Sequence, residues 1–287
     1  MQKIENDFLI VKAKPNGAEL CSIYNKQTGL EYLWQAGHEW PKHAPILFPI
    51  VGQLKDNIYI YEGKKFSIDR HGFARTMTFL TTDHRTSAVE YSLIYNEQTL
   101  AVFPFQFELL INYEVIDADL KILYSVINHG EDDMYFSVGA HPAFKVPLVD
   151  GESYDDYYLE FNKEETTERW MLNNGLLDNH TKPVFNNSRQ LLLSKSLFNE
   201  DAIIFKDLHS DIISLKSKKS AHGFHFQFKE YPYFGIWAAK DADFICLEPW
   251  MGIADNISTN QQLSDKEGII TLLPGEEFTC DYAITLF

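Results

Sequence analysis

The stretch FQFELLINYEVI (105–116) decides the fold. Phe105, Phe107, Leu109, Ile111, Tyr113 and Val115 occupy alternate positions, with Gln106, Glu108, Asn112 and Glu114 between them. A period of two is that of a strand with one face buried. LKILYSVIN (120–128) takes up the same pattern after a short polar turn. DFLIVKAK (7–14), NIYIYEG (57–63), DIISLKS (211–217), FHFQFKEY (224–231) and EEFTCDYAITLF (276–287) continue it along the chain. Turn signals separate them: KPNG, NKQTG, YEGKK, NHGEDD, VDGES and LPGEE. Helical periodicity nowhere persists beyond a couple of turns. The expected fold is therefore all-β, a large antiparallel β-sandwich or barrel. With no internal repeat, low-complexity tract or linker, the chain reads as a single domain spanning 1–287. LDNHTKPVFNNSRQ (177–190) has no period and reads as long loops over one face, of the kind that shape a substrate cleft.

The composition agrees and narrows the function. A chain of 287 residues, 45% of them hydrophobic, can bury a sizeable core. Its 21 Phe and 15 Tyr suit a pleated surface. Cys21, Cys246 and Cys280 are far apart and form no CxxC pair, so a reduced, cytoplasmic protein without disulfides or a zinc knuckle is expected. No leader-like start and no bilayer-length apolar run is present. The net charge of −16 repels polyanions, which argues against nucleic acid and anionic membrane as partners and favours a neutral substrate over a phosphorylated one.

Four places set titratable groups in apolar surroundings: Arg70, His71 and Arg75 in DRHGFART (69–76), His141 in GAHPAF, Asp201 in FNEDAIIF, and Glu248 in CLEPW. A histidine in an apolar strand also reads as a hydrogen-bonded core residue, and Asp201 as a turn aspartate. Glu248 is harder to read that way. A carboxylate between Leu247 and Pro249 must be exposed, paired or functional, because burying it unpaired is costly. His71, His141 and Glu248 lack the close spacing of a metal-binding facial triad. There is also no GxSxG elbow, no GxGxxG and no P-loop. His141 and Glu248 then read either as a proton donor and a proton acceptor facing one substrate or as two satisfied core polar residues. Trp34, Trp237 and Trp250 offer flat aromatic faces for a ring-shaped ligand or simply fill the core.

At these residues the chain resembles the aldose 1-epimerase (galactose mutarotase) family, in its LacX-like branch. The resemblance rests on KPNGAEL (14–20), EYLWQ (31–35), HAPILFPIVGQL (43–54), DRHGFAR (69–75), MYFSVGAHPAF (134–144) and GIWAAK…FICLEPWMGIAD (235–255), in that order. It implies the galactose mutarotase-like supersandwich and an isomerase that interconverts the α and β anomers of a hexose without cofactor or metal. It casts His141 as general acid, Glu248 as general base and His71 as a sugar contact. Asp201 is matched to a hydroxyl-binding aspartate, with Asp207 or Asp211 as the alternatives. The implied partner is a small-molecule sugar, and the protein a monomer or homodimer. Galactose-specific members carry an Asn-Arg pair where this chain reads FPIVGQL. Hexose-6-phosphate members share the arginine matched by Arg75 but have a second one before the FP pair, which is missing here. An unphosphorylated hexose is thus expected. The alternatives are a hexose-6-phosphate 1-epimerase, marked by a basic pocket of Arg70, Arg75, Lys42 or Lys55, and a non-catalytic carbohydrate-binding or sensing protein.

Overall fold

In the computed structural model, which describes residues 1–287, strand Phe107–Ile116 buries alternate residues from Phe107 to Val115. The chain reverses at Asp117, whose φ of 51° is a left-handed conformation that aspartate tolerates. It returns as Asp119–Asn128, with Ile116 opposite Asp119. This hairpin lies within a nine-stranded antiparallel sheet. The order is Ser188–Leu192, Tyr157–Glu165, Ile212–Ser217, Phe224–Gln227, Glu277–Leu286, Asp119–Asn128, Phe107–Ile116, Ala88–Ile94, Leu80–His84.

A second, eight-stranded sheet runs Leu176–Pro183, Glu168–Asn173, Ile203–Lys206, Tyr233–Trp237, Phe244–Met251, Val138–Ala140, Ile46–Leu47, and Ala143–Lys145 also pairs with Phe244–Met251. The two sheets face each other across one core of 69 buried residues. Aromatic pairs join them: Phe144 with Phe224 at 4.3 Å between ring centroids, and Phe226 with Phe234 at 6.0 Å. A three-stranded sheet of Gln2–Glu5, Leu9–Lys14 and Glu19–Asn25 packs on the first. The Tyr91 and Tyr113 hydroxyls fasten it by donating to the Ala13 and Ala18 carbonyls. The fold is thus the antiparallel sandwich expected from the alternation. The only α-helix, Glu97–Val102, is capped by Asn96, and no helix is long and apolar enough to cross a membrane.

Residues 177–190 differ from the expectation of long loops. Most of the segment belongs to strands Leu176–Pro183 and Ser188–Leu192. Each is the outermost strand of its sheet, and only Leu177 among their residues is buried. An edge strand with little buried surface has no reason to alternate polar and apolar residues, so its period is invisible in the sequence.

The face of the eight-stranded sheet turned away from the core carries the site. Strand Phe244–Met251 is buried almost throughout. Its first four residues, Phe244 to Leu247, all belong to the main core, while Glu248 and Trp250 line a cleft and Trp250 joins a smaller apolar cluster with Leu47, Val51 and Ile204. The flanking strands place Gly139 opposite Trp250 and Gly235 opposite Glu248. A Cβ on Gly139 or Gly235 would come within 2.8 or 2.6 Å of the Trp250 ring. The two glycines form the slot in which the indole lies. Gly235→Ala should therefore destabilise the protein by about 1–3 kcal/mol through overpacking, measured by urea unfolding with Trp fluorescence. An unchanged midpoint would show that the slot has slack.

Candidate active site

His141 and Glu248 come together through strand register. Gly139 pairs with Trp250 and Ala143 with Cys246, so the positions between them bring His141 opposite Glu248. Directly opposed side chains on neighbouring strands are within contact distance. His141 Nε2 and Glu248 Oε2 are 3.2 Å apart, with the side chains 12% and 2% exposed. The contact is not aligned as a hydrogen bond. Glu248 Oε2 and His141 Nδ1 are both buried without a hydrogen-bond partner. Pro142 and Pro249 follow the two residues; neither can donate to a ladder, and the pairing of Val138–Ala140 and Ala143–Lys145 with Phe244–Met251 is interrupted here.

The pair lines a cleft of about 330 Å³ that also includes His71, Arg75, Asp201 and Trp237. Trp40 stacks on His141 at 5.1 Å, and Trp237 and His71 each meet its ring edge-on at 5.7 Å. Trp34 stands outside the cleft: its indole N–H donates to the Trp40 carbonyl, and its ring packs on Phe244. Trp40, rather than Trp34, is the residue on the wall. Nothing in the local sequence separates the two tryptophans; the course of the 34–45 loop does. Gln53 also lines the cleft, with no titratable group to single it out in the sequence.

His71 sits at φ 67°, held by two contacts with Gly52. Its amide donates to the Gly52 carbonyl, and the Gly52 amide donates to its Nδ1 at 3.2 Å. Nδ1 is therefore unprotonated, and the ring hydrogen is on Nε2. The next residue must be glycine, since at φ 70° a Cβ would lie 2.1 Å from the Phe48 carbonyl oxygen. Asp201 takes φ 70°. Its loop is clamped by the buried Arg169, whose guanidinium donates to the carbonyls of Glu200, Asp201 and Ala202. Asp207 and Asp211 lie elsewhere, and Asp211 pairs with Lys163.

Burial governs the charges. It drives Glu248 well above the usual carboxylate value, with the Trp250 indole working against it and Asp201 adding to it. It pulls His141 down to about 3, helped by Lys42 and Arg75. His71 is pushed well below its ordinary value by burial and then by His141 and the neighbouring cations. A carboxylate beside His141 is expected to raise its pKa; desolvation outweighs that here. Burial therefore favours the neutral forms, a carboxyl group on Glu248 and an uncharged imidazole on His141.

Arg70, Arg75 and Lys42 also line this cleft. Arg70 donates to Gln53 Oε1 at 2.7 Å, and Arg75 donates to the Arg70 carbonyl at 2.6 Å. Burial lowers the pKa of both Lys42 and Arg75. Neither has a carboxylate within salt-bridge distance, in a chain with 41 acidic residues. Lys55 points away, donating to the Ile257 carbonyl.

A model of the aldose 1-epimerase family matches residues 1–285. The LacX protein of Lactococcus lactis subsp. lactis, in its plasmid and chromosomal forms, is 37% identical over 99% of this chain and 98% of its own. A solved galactose mutarotase related enzyme from Lactobacillus acidophilus superposes with a TM-score of 0.95 at 36% identity, covering 99% of this chain and 96% of that one. A galactose mutarotase-like protein from Lactobacillus casei gives 0.94 at 30% identity, with both chains covered completely.

The raised Glu248 has a consequence for stability. Above its ordinary value of 4.5 the unfolded chain releases a proton that the folded chain keeps, so the residue's contribution is present below that pH and is lost as the pH rises. Glu248→Gln should therefore unfold at a higher temperature than the parent at pH 7, and the gain should shrink as the pH falls towards 4.5 and be gone below it. Calorimetry across that range checks the sign. A variant less stable at pH 7 would mean that the carboxylate is ionised and satisfied.

Proposed function

Because the chain belongs to the aldose 1-epimerase family, we propose that it interconverts the anomers of an aldose by acid–base ring opening between His141 and Glu248. The observation that carries this reading is the buried pair at 3.2 Å, an imidazole and a carboxyl group that both line the cleft. Anomer exchange requires one proton to leave the C1 hydroxyl and another to reach the ring oxygen. The open aldehyde turns about the C1–C2 bond, and the ring closes with the roles reversed. A binding protein has no use for a buried carboxyl group left without a partner.

Substrate binding sets the direction. Sugar hydroxyls that donate to Glu248 stabilise its carboxylate, and the Trp250 indole assists. The proton then passes to His141, which becomes the acid at the ring oxygen while Glu248 takes the proton of the C1 hydroxyl. His71 presents Nε2–H as a neutral donor to a sugar oxygen, and Asp201 accepts from a hydroxyl. Trp40 and Trp237 hold the imidazole by its face and edge. Each general acid or base contributes about 10²–10⁴-fold. Two such groups and fixed geometry account for catalysis. Glu248→Gln and His141→Ala should each lower kcat by at least about 10²-fold, read by polarimetry on fresh α-glucose and α-galactose. Near-parental turnover in either variant would remove that residue from the mechanism.

A second reading concerns the far end of the sugar. Lys42 and Arg75, partly desolvated and without carboxylate partners, favour an anionic group such as a 6-phosphate. This local field runs against the neutral-sugar expectation drawn from the net charge of −16. A charge-assisted contact from Arg75 is worth roughly 1.5–3 kcal/mol. Arg75→Met should then raise KM for glucose 6-phosphate by about 10–150-fold and leave free glucose nearly unaffected. Equal effects on both sugars would return the reading to a neutral hexose.

A further inference from the structure

Cys246 has no part in the proposed reaction, yet it lies beside the reacting pair. It precedes Glu248 by two positions on the same strand, so both side chains project from the same face. One ligand atom each from His141, Cys246 and Glu248 lies within 4.8 Å of the other two. Cys246 and Glu248 are fully or almost fully buried, and Glu248 Oε2 has no hydrogen-bond partner. Imidazole nitrogen, thiolate sulfur and carboxylate oxygen form a donor set for a soft, tetrahedral divalent cation. Thiolate and carboxylate together carry the two negative charges that neutralise such an ion.

We propose that this trio is an inhibitory site for zinc or a similarly thiophilic divalent cation. The cation enters from the cleft, displaces the protons of Cys246 and Glu248, and takes His141 as its neutral ligand. Three protein ligands leave the fourth tetrahedral position facing the cleft. That is where the C1 hydroxyl of the sugar is placed under the acid–base reading, on which the inhibitory part of this proposal rests. Cation and sugar would therefore compete. Calcium and magnesium, which require several oxygen ligands, would not bind, and the nearby Lys42 and Arg75 disfavour any ion held by charge alone. A second grouping, Glu19, Cys21 and His43, offers no such site. Glu19 is already engaged by Lys14 at 2.5 Å and by the amides of His43 and Ala44.

The test titrates the chelator-treated full chain with Co²⁺ and follows thiolate-to-cobalt charge-transfer absorption together with the tetrahedral d–d bands. One equivalent should produce both. Cys246→Ala should abolish the charge-transfer band, Cys21→Ala should keep it, and Glu248→Gln should weaken cobalt binding by about tenfold or more. Melting curves establish that each variant is folded, and if Cys246→Ala is not, the Glu248→Gln titration decides alone. In the polarimetric assay Zn²⁺ should raise the apparent KM and leave kcat unchanged, and Mg²⁺ should do neither. No band at one equivalent, or a band that survives in Cys246→Ala, overturns the site. Because the spectra need no turnover, failure of the metal site and failure of the mutarotase reading are distinguishable.

Discussion

A carboxyl group on the outward face of a central strand, opposite an imidazole, is the constraint around which the rest of the molecule is arranged. Desolvation makes charge on either group expensive, and neither partner is fully satisfied. Leaving buried polar atoms without partners lowers stability, and it is tolerated because a core of 69 buried residues between two large sheets lies beneath. The same unsatisfied atoms make the cleft receptive, since an incoming hydroxyl supplies what the protein withholds.

Precision at the pair comes from the sheet rather than from loops. Register opposes His141 to Glu248, and backbone pairing on both sides of Phe244–Met251 fixes Glu248. Glycines on the two neighbouring strands admit the Trp250 indole beside the carboxyl group. Loops supply the remainder: Trp40 over His141, and His71 in a left-handed conformation locked to Gly52. Where strain occurs, at His71 and Asp201, a dedicated clamp holds it, the Gly52 contacts in one case and Arg169 in the other.

Charge acts on two length scales. The chain as a whole is strongly acidic, with 41 Asp and Glu against 25 Lys and Arg. The cleft reverses this locally, since Lys42, Arg70 and Arg75 line it and none of them has a carboxylate within salt-bridge distance. Screening confines the overall field to a few water layers at physiological salt, so a bound sugar responds mainly to the near cations. This is why the global charge and the local wall point to different substrates.

Much of this was legible in the linear sequence. Alternation in 105–116 and its counterparts specified strands and a two-layer β architecture, because a half-buried strand carries its period in its side chains. The stretches GAHPAF, HGFAR and CLEPW marked His141, His71, Arg75 and Glu248, since polar groups in apolar runs need a partner or a purpose. Asp201 and Trp237, also candidates from the sequence, line the cleft as well. The edge strands in 177–190 were unreadable, because surfaces exposed on both faces leave no pattern. Trp40 in place of Trp34, Arg169 under Asp201, the choice of Asp201 over Asp207 and Asp211, and Cys246 behind the pair depend on contacts between distant segments. The direction of the two pKa shifts also lay beyond the sequence. Chemistry alone predicts that a carboxylate raises its histidine neighbour, and only the depth of burial, a property of the packed sheets, reverses it.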